Sequence, residues 1–180
     1  MEQIECELRS FIDEKKYCEL ICKFKKEAES IADDDQVTYY FDVPQDLRIQ
    51  KNNSYAKIWL KKGKLHDEAR EEIEIHFSKD DFDNLEKMFS AIGINPEIKW
   101  FRKRNEFLWQ GIKICVDYTK GYGYILELER MAAAEEKDSS LAILKTKLRE
   151  LGVEETPKEI FNQRFEYYKK HWRSLVRSDK

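Results

Sequence analysis

The segment at residues 4–9, IECELR, carries three charged side chains at every second position. Because successive side chains of a β-strand point to opposite faces, Glu5, Glu7 and Arg9 would share one face of a strand. Two carboxylates beside a guanidinium suit the binding of a metal ion and of an anion. The same pattern is also typical of a half-buried strand whose charged side faces water, so the rest of the chain has to distinguish the two.

A second acidic pair lies in a later segment, residues 122–131 (YGYILELERM), where Glu127 and Glu129 alternate with leucines. If the first and last strands adjoin, these two carboxylates lie beside Glu5 and Glu7. Four adjacent carboxylates repel one another unless a cation neutralises them. Mg²⁺ and Mn²⁺ prefer carboxylate oxygens, so we expect these four residues to hold one of these ions.

Basic side chains predominate on the same face of several strands between the two acidic pairs. They are Arg48, Lys57, Lys61, Arg70, Arg102 and Arg104, and the same alternation includes Trp59, Glu72 and Asp117. Guanidinium groups bind phosphate oxygens through paired hydrogen bonds. Periodicity alone leaves two interpretations open: a polar lumen that binds a polyanion, or an ordinary sheet with one wet face.

The elements that would position these residues follow from apolar alternation and turn residues. About eight strands are expected, at residues 2–9, 36–44, 46–51, 55–63, 68–77, 97–109, 111–119 and 122–131. Tight turns between consecutive strands favour antiparallel pairing. Helical spacing predicts helices at 13–30 and from Ser78 to Gly93, and a mostly helical end at 132–178 that is broken near 152–157. We therefore expect one α+β domain over residues 1–180, with its strands mainly in residues 2–130.

Composition limits the class of protein. The chain has 180 residues, with 33 basic and 36 acidic side chains and a formal charge of −3, so we do not expect a nucleic-acid partner. We find no signal peptide and no apolar run long enough for a bilayer, and expect no membrane partner. The four cysteines lack the density of a disulfide framework, which predicts free thiols and a cytoplasmic location.

Several of these segments occur in an order that resembles one known family. IECELR resembles the Glu-x-Glu-x-Lys signature of the CYTH superfamily, the triphosphate tunnel metalloenzymes that include class IV adenylate cyclases and thiamine triphosphatases. Similar segments follow in order: QVTYYFDVPQDLRI, AKIWLKKG, REEIE, RKRNEF, KICVD and GYGYILELE. The resemblance implies an eight-stranded antiparallel β-barrel, or tunnel, with a polar charged lumen and flanking helices.

The resemblance also implies roles for individual residues. The implied catalytic set is Glu5, Glu7, Arg9 and Glu129, the metal set is Glu5, Glu7, Glu127 and Glu129, and the triphosphate-binding set is Arg9, Arg48, Lys61, Arg70, Arg102 and Arg104. Asp117, Glu72, Lys57 and Trp59 are possible accessory residues. The chain departs from the family pattern at Arg9, where the signature has lysine, at Gln50, where relatives often carry a second arginine, and at Thr38, where an aspartate is common.

These observations favour an enzyme that uses Mg²⁺ or Mn²⁺ to hydrolyse a phosphoanhydride bond of a triphosphate, such as ATP, thiamine triphosphate or inorganic tripolyphosphate. A class IV adenylate cyclase that forms cyclic AMP and pyrophosphate is the first alternative, because both reactions use the same cradle. A non-catalytic module that binds polyphosphate or nucleotide is the second, and a structural α+β domain the third. The protein is expected to be a monomer or a homodimer.

Overall fold

A computed structural model describes residues 3–61 and 72–179. Its strands are β1 (Gln3–Ile12), β2 (Glu29–Phe41), β3 (Asp46–Lys51), β4 (Ala56–Lys61), β5 (Glu72–Phe77), β6 (Pro96–Trp109), β7 (Ile112–Thr119) and β8 (Gly123–Ala133). Its α-helices are α1 (Glu14–Glu27), α2 (Phe82–Ala91), α3 (Lys137–Glu150) and α4 (Lys158–Ser178). The predicted α+β class, with eight strands and flanking helices, is confirmed. No helix in these two ranges has both the length and the apolar character needed to cross a membrane.

All eight strands form one antiparallel sheet in the order β1-β8-β7-β6-β2-β3-β4-β5. The first and last strands of the chain are therefore neighbours, which meets the condition set for the two acidic pairs, and Glu7 lies directly opposite Glu129. The expected barrel is not strictly closed, because no ladder between β1 and β5 is found among the described residues. The order is nevertheless compatible with closure, since alternation along eight antiparallel strands makes β1 and β5 run in opposite directions.

The apolar face of the sheet is covered by three helices. Leu8, Ile114 and Leu128 are buried against Leu20 and Phe24 of α1, and α3 packs against the same cluster. Farther along the sheet, the ring of Phe82 on α2 packs against Tyr39 and Ile49. Strand alternation sends the charged neighbours of these apolar residues to the opposite side of the sheet.

We call that opposite side the charged face. It carries Glu7, Arg9, Arg48, Lys57, Trp59, Arg102, Arg104, Asp117, Glu127 and Glu129, and the ladder registers place these residues on one side of the sheet. Asp117 and Glu127 are only 1% and 7% exposed. An ordinary sheet with one wet face does not bury carboxylates in this way, so that interpretation is wrong for these strands.

Helix α4 packs against one end of the charged face and shows how strongly the sheet curls. Phe161 stacks on Phe11 of β1 with 4.4 Å between ring centroids, and Phe165 lies 6.2 Å from Tyr40 of β2. In a flat sheet β1 and β2 would stand about 19 Å apart, four strand spacings. Residues four apart on a helix are separated by only about 6 Å. The sheet therefore curls around α4, and the charged face is its concave side.

The close approach of α4 depends on Gly121, in the turn between β7 and β8. A Cβ atom at this position would lie 2.8 Å from Cβ of Leu175, and the backbone has φ +73°. Asp179, just beyond the helix, accepts hydrogen bonds from the Gly121 amide and from the Tyr118 hydroxyl. Glycine is thus required here both for the left-handed backbone and for the contact.

One boundary differs from the prediction. The helical pattern was expected to run to residue 30 and the next strand to begin at 36, but β2 already begins at Glu29. The acidic run at residues 33–35 joins this strand because its partner is basic: Asp34 lies opposite Arg104, and Asp35 opposite Lys103. Opposite charges across a ladder stabilise the pairing, which local propensity did not indicate.

Candidate functional site: carboxylates and guanidinium groups on the charged face

Three carboxylates gather where β1 pairs with β8. Glu7 faces Glu129 across the ladder, and Arg9 faces Glu127. We call Glu7, Glu127 and Glu129 the carboxylate cluster. The Arg9 guanidinium hydrogen-bonds both oxygens of Glu7, with Nη2 at 2.8 Å from Oε2, and its Nε lies 3.3 Å from Glu127. The first and last strands of the chain thus supply one acidic centre.

Burial and repulsion from the neighbouring carboxylates raise the pKa of Glu7. Burial, followed by the negative charge of Glu127, raises the pKa of Glu7 to about 7, against an opposing effect of Arg9. Glu129 adds to the repulsion. A carboxyl group held in this way gains from a cation that removes the repulsion, which is the behaviour expected of a metal ligand.

The carboxyl group of Glu127 has the opposite shift. Burial alone would raise its pKa, but the guanidinium groups of Arg104, Arg9 and Arg102 outweigh burial and lower the pKa to about 2. Arg104 Nη2 lies 2.5 Å from Glu127 Oε2 and 2.5 Å from Asp117 Oδ2. Glu127 is therefore a carboxylate throughout the physiological pH range.

The donor set fits a divalent cation. One ligand atom from each of Cys115, Glu127 and Glu129 can be chosen so that all three lie within 4.8 Å of one another. The Cys115 thiol is buried and lies 3.8 Å from Glu129 Oε1. The two carboxylates, with Glu7 nearby, supply the oxygens that Mg²⁺ and Mn²⁺ take, whereas a thiol suits softer ions. Strand alternation puts Cys115 on the same face as Lys113 and Asp117, but the sequence interpretation treated it as a free thiol and predicted no metal-binding role for it.

A buried network of guanidinium groups adjoins the carboxylate cluster. Arg104 holds Asp117 through Nε and Nη2, and Arg102 Nη1 reaches the same carboxylate at 3.4 Å. Arg102 also donates to Gln36 Oε1 from Nε and Nη2, at 3.0 and 2.7 Å. Burial raises the pKa of Asp117, and Arg104 and Arg102 oppose that rise. These arginines are held rigidly, with planar donors suited to phosphate oxygens.

A second basic wall comes from β3 and β4. Arg48 makes a bidentate pair with Asp46, at 2.7 and 2.6 Å, and its guanidinium carbon lies 4.3 Å from the Tyr40 ring centroid. Lys57 pairs with Glu74 at 2.6 Å. Trp59 is buried opposite Arg48 in the β3–β4 ladder, and Lys57, two residues earlier in β4, has its Nζ 4.8 Å from the Trp59 ring centroid. Arg48, Lys57 and Trp59 thus share the charged face, as alternation predicted.

Of the remaining predicted site residues, one lies at the rim of the carboxylate cluster, and the others have side chains that are not described or lie outside the described residues. Glu5 is exposed and stands opposite Met131, one strand period beyond Glu7, at the rim of the carboxylate cluster. Lys61 and Glu72 are opposite each other on β4 and β5, and their side chains are not described. Arg70 lies outside the described residues. Lys113 belongs to the site although no role was predicted for it, because its Nζ lies 3.1 Å from Glu129.

Two of the departures from the family pattern are neighbours. Thr38 lies opposite Gln50 in the β2–β3 ladder, and both side chains are buried on the charged face. Where the resemblance led us to expect an acidic and a basic group, this chain has two neutral ones. Because both replacements are neutral, neither leaves an unpaired charge on the charged face.

Comparison with known proteins identifies the fold and the family. A family model for the CYTH domain matches residues 3–160, which is most of the chain. No curated protein matches the chain in sequence. Among solved structures, the PH1819 protein from Pyrococcus horikoshii OT3 is 24% identical, with a TM-score of 0.65 over 84% of this chain and 92% of its own.

Two further structural neighbours carry functional descriptions. HpAC1 from Hippeastrum, a proposed adenylyl cyclase described as having a dominant triphosphatase activity, is 19% identical, with a TM-score of 0.62 over 88% of this chain and 94% of its own. A proposed adenylate cyclase from Vibrio parahaemolyticus is 15% identical, with a TM-score of 0.65 over 90% and 99%. These likenesses support the fold, while the family match carries the assignment. The chain belongs to the CYTH domain family.

Proposed function

We propose that the protein is a divalent-metal-dependent triphosphatase, which hydrolyses a phosphoanhydride bond of a triphosphate bound on the charged face. The observation that carries this proposal is the junction of the carboxylate cluster with Arg9, Arg102 and Arg104. Carboxylates suited to a hard cation and guanidinium groups suited to phosphate lie side by side in a largely buried place. Phosphoryl transfer depends mainly on such positioning and charge stabilisation.

Each group has a defined task in this proposal. Glu7, Glu127 and Glu129 hold Mg²⁺ or Mn²⁺, which when bound offsets phosphate charge and lowers the pKa of water. Arg102 and Arg104 hold phosphate oxygens, and Arg48 and Lys57 extend the cradle along β3 and β4. Lys61 and Arg70 remain predicted members of this set, and Glu5 a predicted outer ligand.

The ion pairs suggest that cation and triphosphate bind cooperatively. Arg9 and Arg104 are paired with Glu127, and Lys113 with Glu129. When Glu127 and Glu129 coordinate a cation, their attraction for these basic groups falls, and the freed donors turn to phosphate oxygens. The carboxylates thus keep the cationic wall neutralised until both ligands are present.

Hydrolysis is preferred to cyclisation because water needs no nucleoside pocket, and the sequence shows no base-reading motif. The name of HpAC1 points in the same direction, since it describes dominant triphosphatase activity in a proposed cyclase. Formation of cyclic AMP and pyrophosphate from ATP is the second candidate. The four free cysteines are compatible with a reducing cytoplasm, which stays a prediction, as do a monomeric or homodimeric state and the absence of a nucleic-acid partner.

The test is one incubation series with Mg²⁺ and with Mn²⁺ on ATP, thiamine triphosphate and tripolyphosphate, in which orthophosphate, pyrophosphate and cyclic AMP are resolved. We expect metal-dependent orthophosphate release. Cyclic AMP with equimolar pyrophosphate would replace hydrolysis by cyclisation, and binding of tripolyphosphate without turnover would favour the non-catalytic module.

Glu129→Gln is the informative variant, since it keeps the size of the side chain and removes one metal ligand. We expect a loss of turnover of roughly 100-fold or more, in line with the loss of a main electrostatic group. Glu19→Gln removes an equal charge from the exposed side of α1, where Glu19 pairs with Lys16. Equal activities of the two variants would contradict the assigned role of Glu129.

A further inference from the structure

Arg164 of α4 is held beside the charged face by an aromatic ring. Its guanidinium carbon lies 4.0 Å from the ring centroid of Phe11. Phe11 follows Arg9 by two positions in β1, so both side chains leave the sheet on the same face. Arg164 is exposed, and no ion pair joins it to a carboxylate in residues 3–61 or 72–179.

The basic residues of the charged face differ from Arg164 because they form ion pairs with carboxylates. Each of the following is paired with a carboxylate: Arg9 with Glu7 and Glu127, Arg48 with Asp46, Lys57 with Glu74, Arg102 with Asp117, Arg104 with Asp117 and Glu127, and Lys113 with Glu129. A phosphate that binds these groups therefore has to compete with, or exchange for, the carboxylate that already neutralises them. Arg164 offers its donors without that exchange, while stacking on Phe11 already restricts its side chain.

Tyr122 connects Arg164 with the site. Its ring lies 5.4 Å from the Phe11 ring, centroid to centroid. Burial raises the pKa of Tyr122 above the ordinary range, and the charges of Arg164 and Arg9 both oppose that rise. Arg9, Phe11, Tyr122 and Arg164 thus form one group at the α4 end of the charged face.

The position of Arg164 also favours a long anion. Phe11 is four residues beyond Glu7 in β1, about 13 Å along the strand. An anion that reaches both the carboxylate cluster and Arg164 therefore has to be extended. The family match ends at residue 160, so Arg164 lies beyond the matched region.

We propose that Arg164 binds a terminal phosphate group of the substrate at the α4 end of the charged face, and so favours triphosphates over diphosphates. The proposal rests on the proposed function, because it takes the triphosphate to lie along this face. Arg164 would be a binding residue that sets substrate length, contributed by α4 rather than by a strand.

The test compares Arg164→Ala with Arg173→Ala. Arg173 is a matched control on the same helix, since its guanidinium carbon also lies over a ring, 4.6 Å from that of Trp172. Dissociation constants for tripolyphosphate and for pyrophosphate are measured by calorimetry in Ca²⁺, after phosphate release has been checked to be negligible. We expect Arg164→Ala to weaken tripolyphosphate binding roughly 10- to 100-fold, the range for a charged hydrogen bond, and to leave pyrophosphate binding nearly unchanged.

Arg164→Lys should restore part of the tripolyphosphate affinity, and Arg173→Ala should change neither constant. If Arg164→Ala perturbs α4 by circular dichroism, Arg164→Met takes its place, since it keeps an aliphatic stem over Phe11. Equal losses in the Arg164 and Arg173 variants, or equal losses for both anions, would overturn the proposal and leave the proposed function intact. A wild-type protein that binds no tripolyphosphate would overturn both.

Discussion

The guanidinium of Arg104 on β6 lies 2.5 Å from the carboxylate of Glu127 on β8, although β7 runs between these two strands. Arg104 also holds Asp117 of β7, so one side chain links three strands on the concave side of the sheet. The side-chain exposures of Asp117 and Glu127 are 2% and 9%. This bond joins the acidic and the basic halves of the site. The Arg104 guanidinium lowers the pKa of Glu127 and opposes the rise that burial causes in the pKa of Asp117.

Loss of Arg104 should therefore destabilise the fold as well as the site. In Arg104→Ala the carboxylates of Asp117 and Glu127 lose their principal partner, and breaking a buried ion pair typically costs about 3–5 kcal/mol. We expect a loss of this order in the free energy of unfolding, measured by urea denaturation. The double variant Arg104→Ala with Asp117→Asn should recover part of it. A loss below about 1 kcal/mol, the range of exposed ion pairs, would contradict this account.

The raised pKa of Glu7 predicts a dependence of stability on pH in metal-free protein. The folded-state pKa is about 7 and the ordinary value is 4.5. Between these values the folded protein binds a proton that the unfolded chain does not bind. The resulting stabilisation is fully present below about pH 4.5 and is lost as the pH rises through 7. It amounts to roughly 3 kcal/mol at most, from 1.36 kcal/mol per pKa unit.

Thermal unfolding in chelator between pH 5 and 8 checks this prediction. The wild-type midpoint should fall across this range by more than that of Glu7→Gln, which has no proton to lose at this position. Parallel pH profiles of the two proteins would show that Glu7 does not titrate near neutrality.

From the position of Cys115 we expect the site to bind soft cations. Its thiol can join Glu127 and Glu129 around one ion, and thiolates favour Cd²⁺ over Mg²⁺. Cys115→Ser should lose most of the Cd²⁺ affinity and the ultraviolet absorbance of the cadmium–thiolate bond, while Mg²⁺ affinity changes little. Cys6→Ser is the control, because Cys6 is equally buried but packs on the opposite face of the sheet. Equal Cd²⁺ binding by both variants would place the soft-ion site elsewhere.

Substitution of Gly121 measures how much the contact between the β7–β8 turn and α4 contributes to the free energy of unfolding. Gly121→Ala combines a left-handed backbone strain with a clash against Leu175, whereas Gly93→Ala has similar strain at φ +84° and no atom within 4 Å. The strain alone costs about 1–2 kcal/mol. We expect Gly121→Ala to lose more unfolding free energy than Gly93→Ala. It should also change the fluorescence of Trp172, which belongs to α4, and of Trp100, which packs against α4. Equal losses would mean that α4 adapts without cost.

Much of the site could be predicted from the sequence because strand alternation is a local property. Glu7, Arg9, Glu127 and Glu129 share a face whatever the rest of the chain does, since a strand has a period of two residues. The adjacency of the first and last strands was a condition of the metal-site interpretation and was implied by the family resemblance, and the β1–β8 ladder fulfils it. The order of the segments gave the family, which the match over residues 3–160 bears out.

Other features depended on contacts between distant residues and had no local signal. Alternation alone put Cys115 on the charged face of its strand, but only the β7–β8 register placed it opposite Glu127. The early start of β2 at Glu29 depended on basic partners in β6, about 70 residues away in the chain. Local helical and acidic patterns gave no indication of that pairing.

The amino-acid sequence by itself determined which side chains share a face and which family the chain belongs to, because both depend on residue types at fixed spacing. Only the tertiary structure decided that the sheet curls around α4, that Arg104 spans β7 to reach Glu127, and that Arg164 stacks on Phe11. The physical reason is that curvature, burial and the resulting pKa shifts arise from the packing of segments far apart in the chain, which no local pattern encodes.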